Sequence, residues 1–479
     1  MSENINAREA GLIEAGRIYG KEAEEALRAH LSMIGDELYL WMSDLYSPRV
    51  CKCNNFDADG NRVCLLPKDE NGNDICKGGG YFYSNSAKDT DGYEIDIEST
   101  VQAIRFCESS GMIPYGVPIR DVFPKQMQLD VCAFAKSLQC ADDGYFYHPQ
   151  WGKNIVPSRQ GRDLGWATSI LKDFGDMPLY DTKNGHKGSL GAPLGVSAAA
   201  SDSAPAEKNS TWIAHFRTLE AFKEYLNGLD LRTRSYSACN NINAQTGQLK
   251  ARDAQAMADG ECADKNGDGI AEDGFIAMLE EHFNSRQNPE HGLWEDEVHY
   301  NSVNGLMKIS TSYNALGIKF NYADKAFASA IKVALIDVDD TDVKGKTTTG
   351  SVDVYNPWVA MSALIGNVKK FGTEGEYFKL MVMLKENVVE LIKATTKKAA
   401  KFKKADGSFG YTWNYSPSKS QMAPVAVPET VEGDINGGSI ATRGIFSSMC
   451  SALGLSIPFF TSEDFEKYIN RIKKRCGYR

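Results

Sequence analysis

The chain has 479 residues, of which 42% are hydrophobic and 24% are charged, and its net charge is −10 at pH 7. This composition is typical of a folded globular protein. The negative charge excludes a protein that wraps nucleic acid, because phosphate binding needs a cationic surface. No apolar run approaches the roughly 20 residues that span a bilayer, so we expect no membrane partner.

The N-terminal segment MSENINAREAGLIEAG is polar and predicts the start of an amphipathic helix, not a signal peptide. Cysteines follow in a loop rich in Asp, Asn and Gly, at Cys51, Cys53, Cys64 and Cys76. Their spacing lacks the Cys-x-x-Cys pairs of structural zinc sites, so we favour disulfides, with zinc as the alternative. Cys239 and Cys262 flank a second excursion that a disulfide would close. Such cysteine usage predicts a secreted or periplasmic protein whose export signal is absent from this sequence.

Apolar residues at helical spacing predict an all-α fold, and strand-like alternation is scarce. The predicted helices are 8–46, 95–110, 124–140, 161–173, 215–228, 274–286, 301–316, 323–337, 357–371, 375–402, 435–453 and 462–475. Two non-helical insertions are expected: a cysteine-rich loop at 47–94 and a small-residue-rich lid at 184–212. Neither divides the chain, so residues 1–479 are predicted to form a single domain.

Three loops share one pattern, in which a turn glycine precedes aromatic and polar residues that lead into the next helix. They begin at Ala141, Asn288 and Ala405. We expect each glycine to adopt the left-handed conformation that ends a helix, with a neighbouring aromatic covering that end. The repetition predicts an (α/α)n toroid of helical hairpins around a common axis. An irregular helical bundle is the alternative.

The segment DKNGDGIAED carries oxygen ligands at alternate positions, which suits Ca²⁺. The predicted ligands are Asp264, Asn266, Asp268 and Asp273. A complete EF-hand loop would have Glu at its twelfth position, where Phe275 stands here. Structural calcium and simple Asx turns are therefore both open.

The loop after Ala141 and the following helix combine phenols, an imidazole and guanidiniums. These residues are Tyr145, Tyr147, His148, Trp151, Arg159 and Arg162. Aromatic rings stack on pyranoses, guanidiniums pair with carboxylates, and a phenol or imidazole transfers a proton. The mixture predicts binding of an acidic sugar. Alternatively, Tyr145 is a packing residue and His148 a satisfied loop histidine.

The loop GLWEDEVHYNSVNG offers a second set of polar and aromatic residues, which includes Trp294, Glu295, His299, Tyr300 and Asn304. Amides and unpaired backbone N–H groups in a first helical turn suit a carboxylate. The alternative places His299 on the surface. In the third loop, Trp413 and Tyr415 precede ETVEGDINGGSIATR, which contains Glu432, Asp434, Asn436 and Arg443. Asp434 suits a structural role at a helix N-terminus, and Glu432 stays open.

The helical hairpins and the segment DGYFYH, residues 143–148, resemble the toroidal polysaccharide lyases, which act on chondroitin, hyaluronan and some alginates or glucuronans. Those enzymes often show DG-x-F before a catalytic histidine. Chondroitin-type lyases have a tyrosine nine residues after that histidine, where this chain has Pro157. The base must therefore come from elsewhere.

The resemblance implies β-elimination at a uronate, without a cofactor in the chemistry. Under it, Tyr300 is the predicted proton-transfer residue and His148 or His299 its partner base. The predicted carboxylate-neutralising residues are Asn304 with Arg159 or Arg162. The predicted substrate-contacting residues are Trp151, Trp294, Trp413, Tyr147, Tyr415 and Glu432.

Two other functions remain open from the sequence. An inverting glycoside hydrolase would use paired carboxylates, such as Glu295 or Glu297 with Glu432 or Asp434. A glycan-binding protein would stack aromatics on sugar without cleaving it. No Walker, Rossmann, GxSxG or HExxH motif is present, which gives no support to nucleotide-dependent, esterase or zincin functions.

Overall fold

The structure, a computed structural model, describes residues 2–48, 78–195, 209–267, 269–337 and 350–478, with side chains from residue 7 onward. Most of these residues are helical, which confirms the predicted all-α class. The strands named in these ranges form two short antiparallel pairs. None of the described helices combines the length and the apolar character needed to cross a bilayer.

The predicted helix 8–46 is divided into three. These are α1 (Ser2–Tyr19), α2 (Lys21–Ser32) and α3 (Asp36–Asp44). The first break falls at Gly20, whose φ of 96° lies outside the helical range. Strand β1 (Tyr46–Pro48) then pairs antiparallel with β2 (Gly79–Tyr81), with Tyr46 opposite Tyr81.

The helices in the middle of the chain range from 4 to 17 residues in length. They are α4 (Asn85–Asp89), α5 (Ile97–Ser109), α6 (Ile119–Val122), α7 (Lys125–Ser137), α8 (Pro157–Asp173), α9 (Leu219–Asn227), α10 (Ser235–Asn243), α11 (Thr246–Ala258) and α12 (Phe275–Asn284). Helices α4 and α6 were not predicted, and α4 lies in the insertion 47–94 that was expected to be non-helical. Helices α10 and α11 were not predicted either. Their apolar residues are sparse, since α10 reads SYSACNNIN, and their buried faces include polar side chains such as Asn240 and Arg252.

The C-terminal part contains the longest helices. Its elements are α13 (Tyr300–Leu316), α14 (Ala323–Leu335), α15 (Ser351–Phe371), α16 (Glu374–Ala400), β3 (Lys419–Ser420), β4 (Ala423–Pro424), α17 (Ile435–Ser439), a π-helical segment (Ile440–Ser447), α18 (Ser448–Ala452) and α19 (Ser462–Cys476). Helix α15 begins six residues before the predicted start at 357. Pro357 therefore lies in its second turn, where its ring removes the N–H that would otherwise bond the carbonyl of Asp353.

The helices pack on one another in a regular order. Helix α13 packs against α10 and α15, α15 packs against the π-helical segment, and α5 packs against both α8 and α17. Helix α8 also contacts α10. In addition, α14 packs against α16, α16 against α2, and α3 against α19. A contiguous hydrophobic core runs through these contacts from Leu12 to Ile472.

The turn glycines of the three repeated loops behave as expected. Gly144, Gly292 and Gly407 have φ values of 77°, 71° and 84°, which confirms the predicted left-handed backbone. The adjoining aromatics are buried, including Tyr145 and Phe409. At Gly292 a Cβ would lie 2.5 Å from the backbone nitrogen of Ala326, so the turn also needs glycine for its close approach to α14.

The structure tests the cysteine predictions only in part. Cys51, Cys53, Cys64 and Cys76 lie outside the described residues. Cys239 and Cys262 are both buried and both carry free thiols, so the predicted disulfide between them is absent. Cys239 lies within α10, whereas Cys262 follows α11 near Asp253 and Asp273. Of the insertion at 184–212, residues 184–195 and 209–212 are described, and they contain turns but no helix or strand.

Candidate functional site

A cavity of about 270 Å³ lies where several helices meet, and we call it the central cavity. Side chains from α5, α8, α10, α13, α15, α17 and the π-helical segment line it, and the loop 411–421 closes one side. The lining side chains that could bind a ligand or transfer a proton include Gln102, Arg162, Tyr236, Lys308, Tyr355, Asn356, Tyr411, Lys419 and Arg443. A cavity built by so many elements needs the complete fold.

The central cavity is cationic. Arg162, Lys308, Lys419 and Arg443 line it, whereas no Asp or Glu does so among the described residues. Arg443 has no hydrogen bond or ion pair within the described part of the chain, and burial lowers its pKa. An unneutralised, partly buried guanidinium is costly unless an anion accompanies it. The lining therefore favours an anionic ligand.

Arg443 lies in the π-helical segment Ile440–Ser447. Such segments are rare within helices and are frequent at functional sites, because the wider turn redirects side chains. The next residue, Gly444, is also needed there, since a Cβ at that position would lie 2.8 Å from Cδ2 of Tyr355. The local sequence thus brings the guanidinium of Arg443 and the phenol of Tyr355 to the same cavity.

Lys308 lies on α13 in the wall shared with Arg162 and Arg443. Burial, together with the positive charge of Arg162 and against an opposing effect of Glu98, lowers the pKa of its amine to about 7. Near neutral pH about half of such an amine is unprotonated. Lys308 therefore combines access to the cavity with the protonation state of a base.

Four phenols line the same space, those of Tyr83, Tyr236, Tyr355 and Tyr411. Tyr236 and Tyr411 are hydrogen bonded to each other, and burial raises the pKa of both. Burial also raises the pKa of Tyr355, although the charge of Arg443 opposes the shift. These phenols remain protonated at neutral pH. The cavity consequently holds an amine that can accept a proton beside phenols that can donate one.

A buried ionic cluster supports Arg162 from behind. The guanidinium of Arg162 binds Glu98, whose other oxygen accepts a 2.9 Å hydrogen bond from Arg159. Arg159 is fully buried and also pairs with Asp96 at 3.2 Å and with Asp163 at 2.8 Å. Arg159 therefore serves as a structural counter-ion, and of the two predicted arginines Arg162 is the one that lines the central cavity.

Two larger cavities adjoin the central one. The first, of about 1150 Å³, shares Arg162, Trp166, Lys308 and Arg443 with it. The second, of about 450 Å³, shares Tyr236 and Gln421. A ligand longer than one sugar unit therefore has room on either side of the cationic centre.

The predicted residues of the loop after Ala141 are held by packing. The His148 ring is 1% exposed, contacts the carbonyl of Ile95 at 2.9 Å through Nε2, and stacks on Trp151 with centroids 3.9 Å apart. Tyr147 donates its hydroxyl to Asp143 at 2.9 Å. Neither His148 nor Trp151 lines the central cavity, so the alternative of a satisfied loop histidine describes His148 better.

The residues predicted at the start of α13 are also engaged elsewhere. The Tyr300 hydroxyl donates to the carbonyl of Ile336 at 2.6 Å. His299 is the N-cap: its Nδ1 accepts the Asn301 amide, and its Nε2 lies 2.7 Å from Glu295. Asn304 donates to Asp353 at 2.7 Å. These contacts fix the entry to α13, and none of the three predicted residues lines the central cavity.

The remaining predicted contact residues are spread over the fold. Trp294 is buried and donates to the carbonyl of Phe283, and Trp413 stacks on Phe402. Glu432 accepts hydrogen bonds from the backbone N–H and the hydroxyl of Ser86. Tyr415 is 48% exposed. The structure does not gather these residues around one ligand position.

The predicted calcium loop makes contacts within itself. The carboxylate of Asp264 accepts amide hydrogen bonds from Gly267 at 2.7 Å and Gly269 at 2.8 Å. Asp273 accepts one from Ala263 at 2.9 Å and pairs with Lys265. Asp268 lies outside the described residues, and Asn266 is part of the same loop. A structural calcium ion at this loop stays a prediction, which chelation during thermal unfolding tests.

Of the residues that line the central cavity, Arg162, Asn436 and Arg443 were noted from the sequence, but most of the lining was not. The polar residues that were missed include Tyr83, Gln102, Tyr236, Lys308, Tyr355, Asn356, Tyr411 and Lys419. A signal was present for Lys308, because it is, like Arg443, a cation inside an otherwise apolar or small-residue helical segment, LMKIST for Lys308 and IATRGIF for Arg443. Such a charge is expensive to bury without a function or a partner. No family model, curated protein or solved structure matches this chain.

Proposed function

We propose that the central cavity binds the uronate unit of an acidic polysaccharide and that the protein cleaves the chain by β-elimination. The observation that carries the proposal is the lining of the cavity, in which cations and phenols are combined without a carboxylate among the described residues. Cations neutralise the uronate carboxylate, which acidifies the neighbouring C5 proton. An amine and a phenol then supply the two proton transfers.

The proposed architecture is an α/α toroid. It is supported by the order of packing, in which α5, α8, α10, α13, α15 and the π-helical segment follow one another and the last returns to α5. Helices α7, α14 and α16 lie between them in sequence. In such an arrangement the helices of the ring surround a common space. This suits a cavity lined by α5, α8, α10, α13, α15 and the π-helical segment.

In the proposed reaction, Arg443 and Arg162 bind the carboxylate of the uronate. The neutral amine of Lys308 takes the C5 proton, and the electron pair of that bond forms the C4–C5 double bond. The bond from C4 to the glycosidic oxygen breaks, and Tyr236 donates its proton to the leaving oxygen. Tyr411, hydrogen bonded to Tyr236, orients that phenol. Exchange with solvent restores both groups.

The carboxylates required by a glycoside hydrolase lie elsewhere. Glu295 is bound by Ser235 and His299, Glu432 by Ser86, and Asp434 caps α17 through the amide of Gly437 at 2.8 Å. An inverting hydrolase needs two carboxyl groups about 6.5–9.5 Å apart across the scissile bond. The lining of the central cavity offers no such pair, which favours elimination.

Near-ultraviolet absorbance during incubation with alginate, glucuronan, chondroitin, hyaluronan and pectate tests the proposal. Elimination creates a conjugated double bond, so absorbance rises on the true substrate. The Lys308→Met variant should slow the rise by about 100-fold or more, whereas Lys393→Met, at an exposed position of α16, should not slow it. Reducing ends without absorbance would instead establish hydrolysis. Ligand-dependent thermal protection without any cleavage would leave a binding protein.

A further inference from the structure

Two amide side chains in the central cavity lack the hydrogen-bond partners that buried polar groups normally have. Asn356 is 0% exposed, and neither its Oδ1 nor its Nδ2 has a partner among the described residues. Gln102 is 7% exposed, and its Oε1 is likewise unpartnered. Both residues line the central cavity. Unsatisfied buried groups are rare and costly, so their presence at a cavity wall points to a ligand.

The chemistry of these amides specifies what the ligand must provide. Gln102 donates its Nε2–H to Glu98 at 3.1 Å, so what it offers the cavity is the acceptor Oε1. Asn356 offers one acceptor and two donors. An amide oxygen is satisfied only by an N–H or O–H group. A ligand that was anionic alone, such as a carboxylate or sulfate, would leave both amide oxygens unpaired.

The same wall carries the cations Arg443 and Lys308, which suit the anionic part of a ligand. Donors for an anion and acceptors for hydroxyls therefore line one cavity of about 270 Å³, close to the lower size limit of small-molecule sites. A single pyranose that carries both a carboxylate and free hydroxyl groups satisfies both sets. A sugar that is sulfated or acetylated on a ring hydroxyl has lost the O–H donor at that position and is bulkier there.

We propose that Asn356 and Gln102 make the central cavity selective for a uronate whose ring hydroxyls are unsubstituted, so that O-sulfated and O-acetylated units are rejected. This inference rests on the proposed lyase function. It concerns specificity-determining residues, since neither amide takes part in the proton transfers. A site built to accept a hydroxyl proton discriminates strongly against ligands without that hydroxyl, because its own polar groups are then left unpaired.

The first test uses the unaltered protein and matched polymers. Initial rates of absorbance increase are compared on glucuronan, alginate and unsulfated chondroitin, and on chemically O-acetylated or O-sulfated forms of each. We expect kcat/KM on the modified polymer to be lower by at least about 100-fold. Equal or faster cleavage of the modified forms overturns the selectivity while leaving the lyase intact. Absence of absorbance on every polymer instead overturns the proposed function on which the inference rests.

The second test removes one amide. Asn356→Leu should lower kcat/KM on the unmodified polymer by about 10-fold or more. It should also reduce the ratio of kcat/KM on the unmodified polymer to kcat/KM on the acetylated polymer. Asn387→Leu on α16 is the matched control, since among the described residues that amide donates to the carbonyl of Met383 in its own helix. Circular dichroism and the thermal midpoint confirm that both variants fold. An unchanged preference in a folded Asn356→Leu variant contradicts the assignment.

Discussion

The role of Lys308 gives the most specific prediction, because both the direction and the size of its pKa shift follow from its position in the structure. Burial lowers the pKa of this amine to about 7. At pH 7 about half of the amine is then neutral, against roughly one part in 2,500 for an ordinary lysine with a pKa of about 10.4. The cavity thus increases the available base by a factor on the order of 10³.

Two measurements follow from this value. The logarithm of kcat/KM should rise with unit slope as pH increases towards about 7 and level off above it, since the base works in its neutral form. Lys308→Met should lower kcat by about 10²- to 10⁴-fold, the usual range for loss of a general base. The variant should not be less stable at neutral pH, because it removes a buried amine that resists protonation.

The assay is the initial rate of near-ultraviolet absorbance on the polymer that the substrate panel identifies. Lys393→Met, on the exposed face of α16, controls for loss of a surface charge and should retain the wild-type profile. A rate that does not change between about pH 6 and about pH 8, or a Lys308→Met variant with wild-type kcat, would refute the assignment of this residue as base.

Three further predictions concern stability and use thermal and denaturant unfolding. Arg159→Met leaves the buried carboxylates of Asp96 and Asp163 without their counter-ion and should lower the free energy of unfolding by about 3–5 kcal/mol. Arg232→Ala, at an exposed ion pair, should lower it by less than about 1 kcal/mol. Equal losses of stability in the two variants would contradict the role of the buried cluster. Gly292→Ala should cost about 1–3 kcal/mol, because its φ is 71° and the new Cβ meets Ala326; an unchanged unfolding midpoint would contradict that geometry. Burial lowers the pKa of His30 to about 4, below the unfolded value near 6.5. The stability that the neutral buried imidazole contributes is therefore fully present above about pH 6.5, and the free energy of unfolding falls by on the order of 3 kcal/mol as pH drops towards 4. The His30→Gln variant should show a flatter dependence of stability on pH in that window.

Much of the helical framework was predictable from local patterns. The spacing of apolar residues located α5, α12 and α16 to within about two residues, and the turn glycines Gly144, Gly292 and Gly407 were recognised with their conformation. Boundaries failed where the local signal was ambiguous. Gly20 and Gly35 divide a segment that reads as one long helix, and α10 is too polar to show a clear apolar stripe.

The candidate site was harder to predict, because its lining comes from positions far apart in the chain. Sequence reasoning favoured the aromatic loops, yet the polar groups of His148, Tyr300 and Trp294 bond to nearby backbone carbonyls and stabilise the loops themselves. Lys308 and Asn356 lie within helices. The apolar neighbours of Lys308 offered one signal, but nothing in the local pattern around Asn356 distinguishes a cavity-facing polar residue from a surface one. Only the packing of α13 against α15 brings their helices together.

The central claim is that Lys308 and Tyr236 catalyse elimination in the central cavity, and the mass of the products tests this claim most directly. A polymer that the protein cleaves is digested to completion, and the oligosaccharides are measured by mass spectrometry. Elimination adds no water, so every fragment except the one from the original non-reducing end should carry an unsaturated uronate at its non-reducing end and be lighter by one water molecule than the hydrolysis product. Internal fragments with the full hydrolytic mass would contradict the claim.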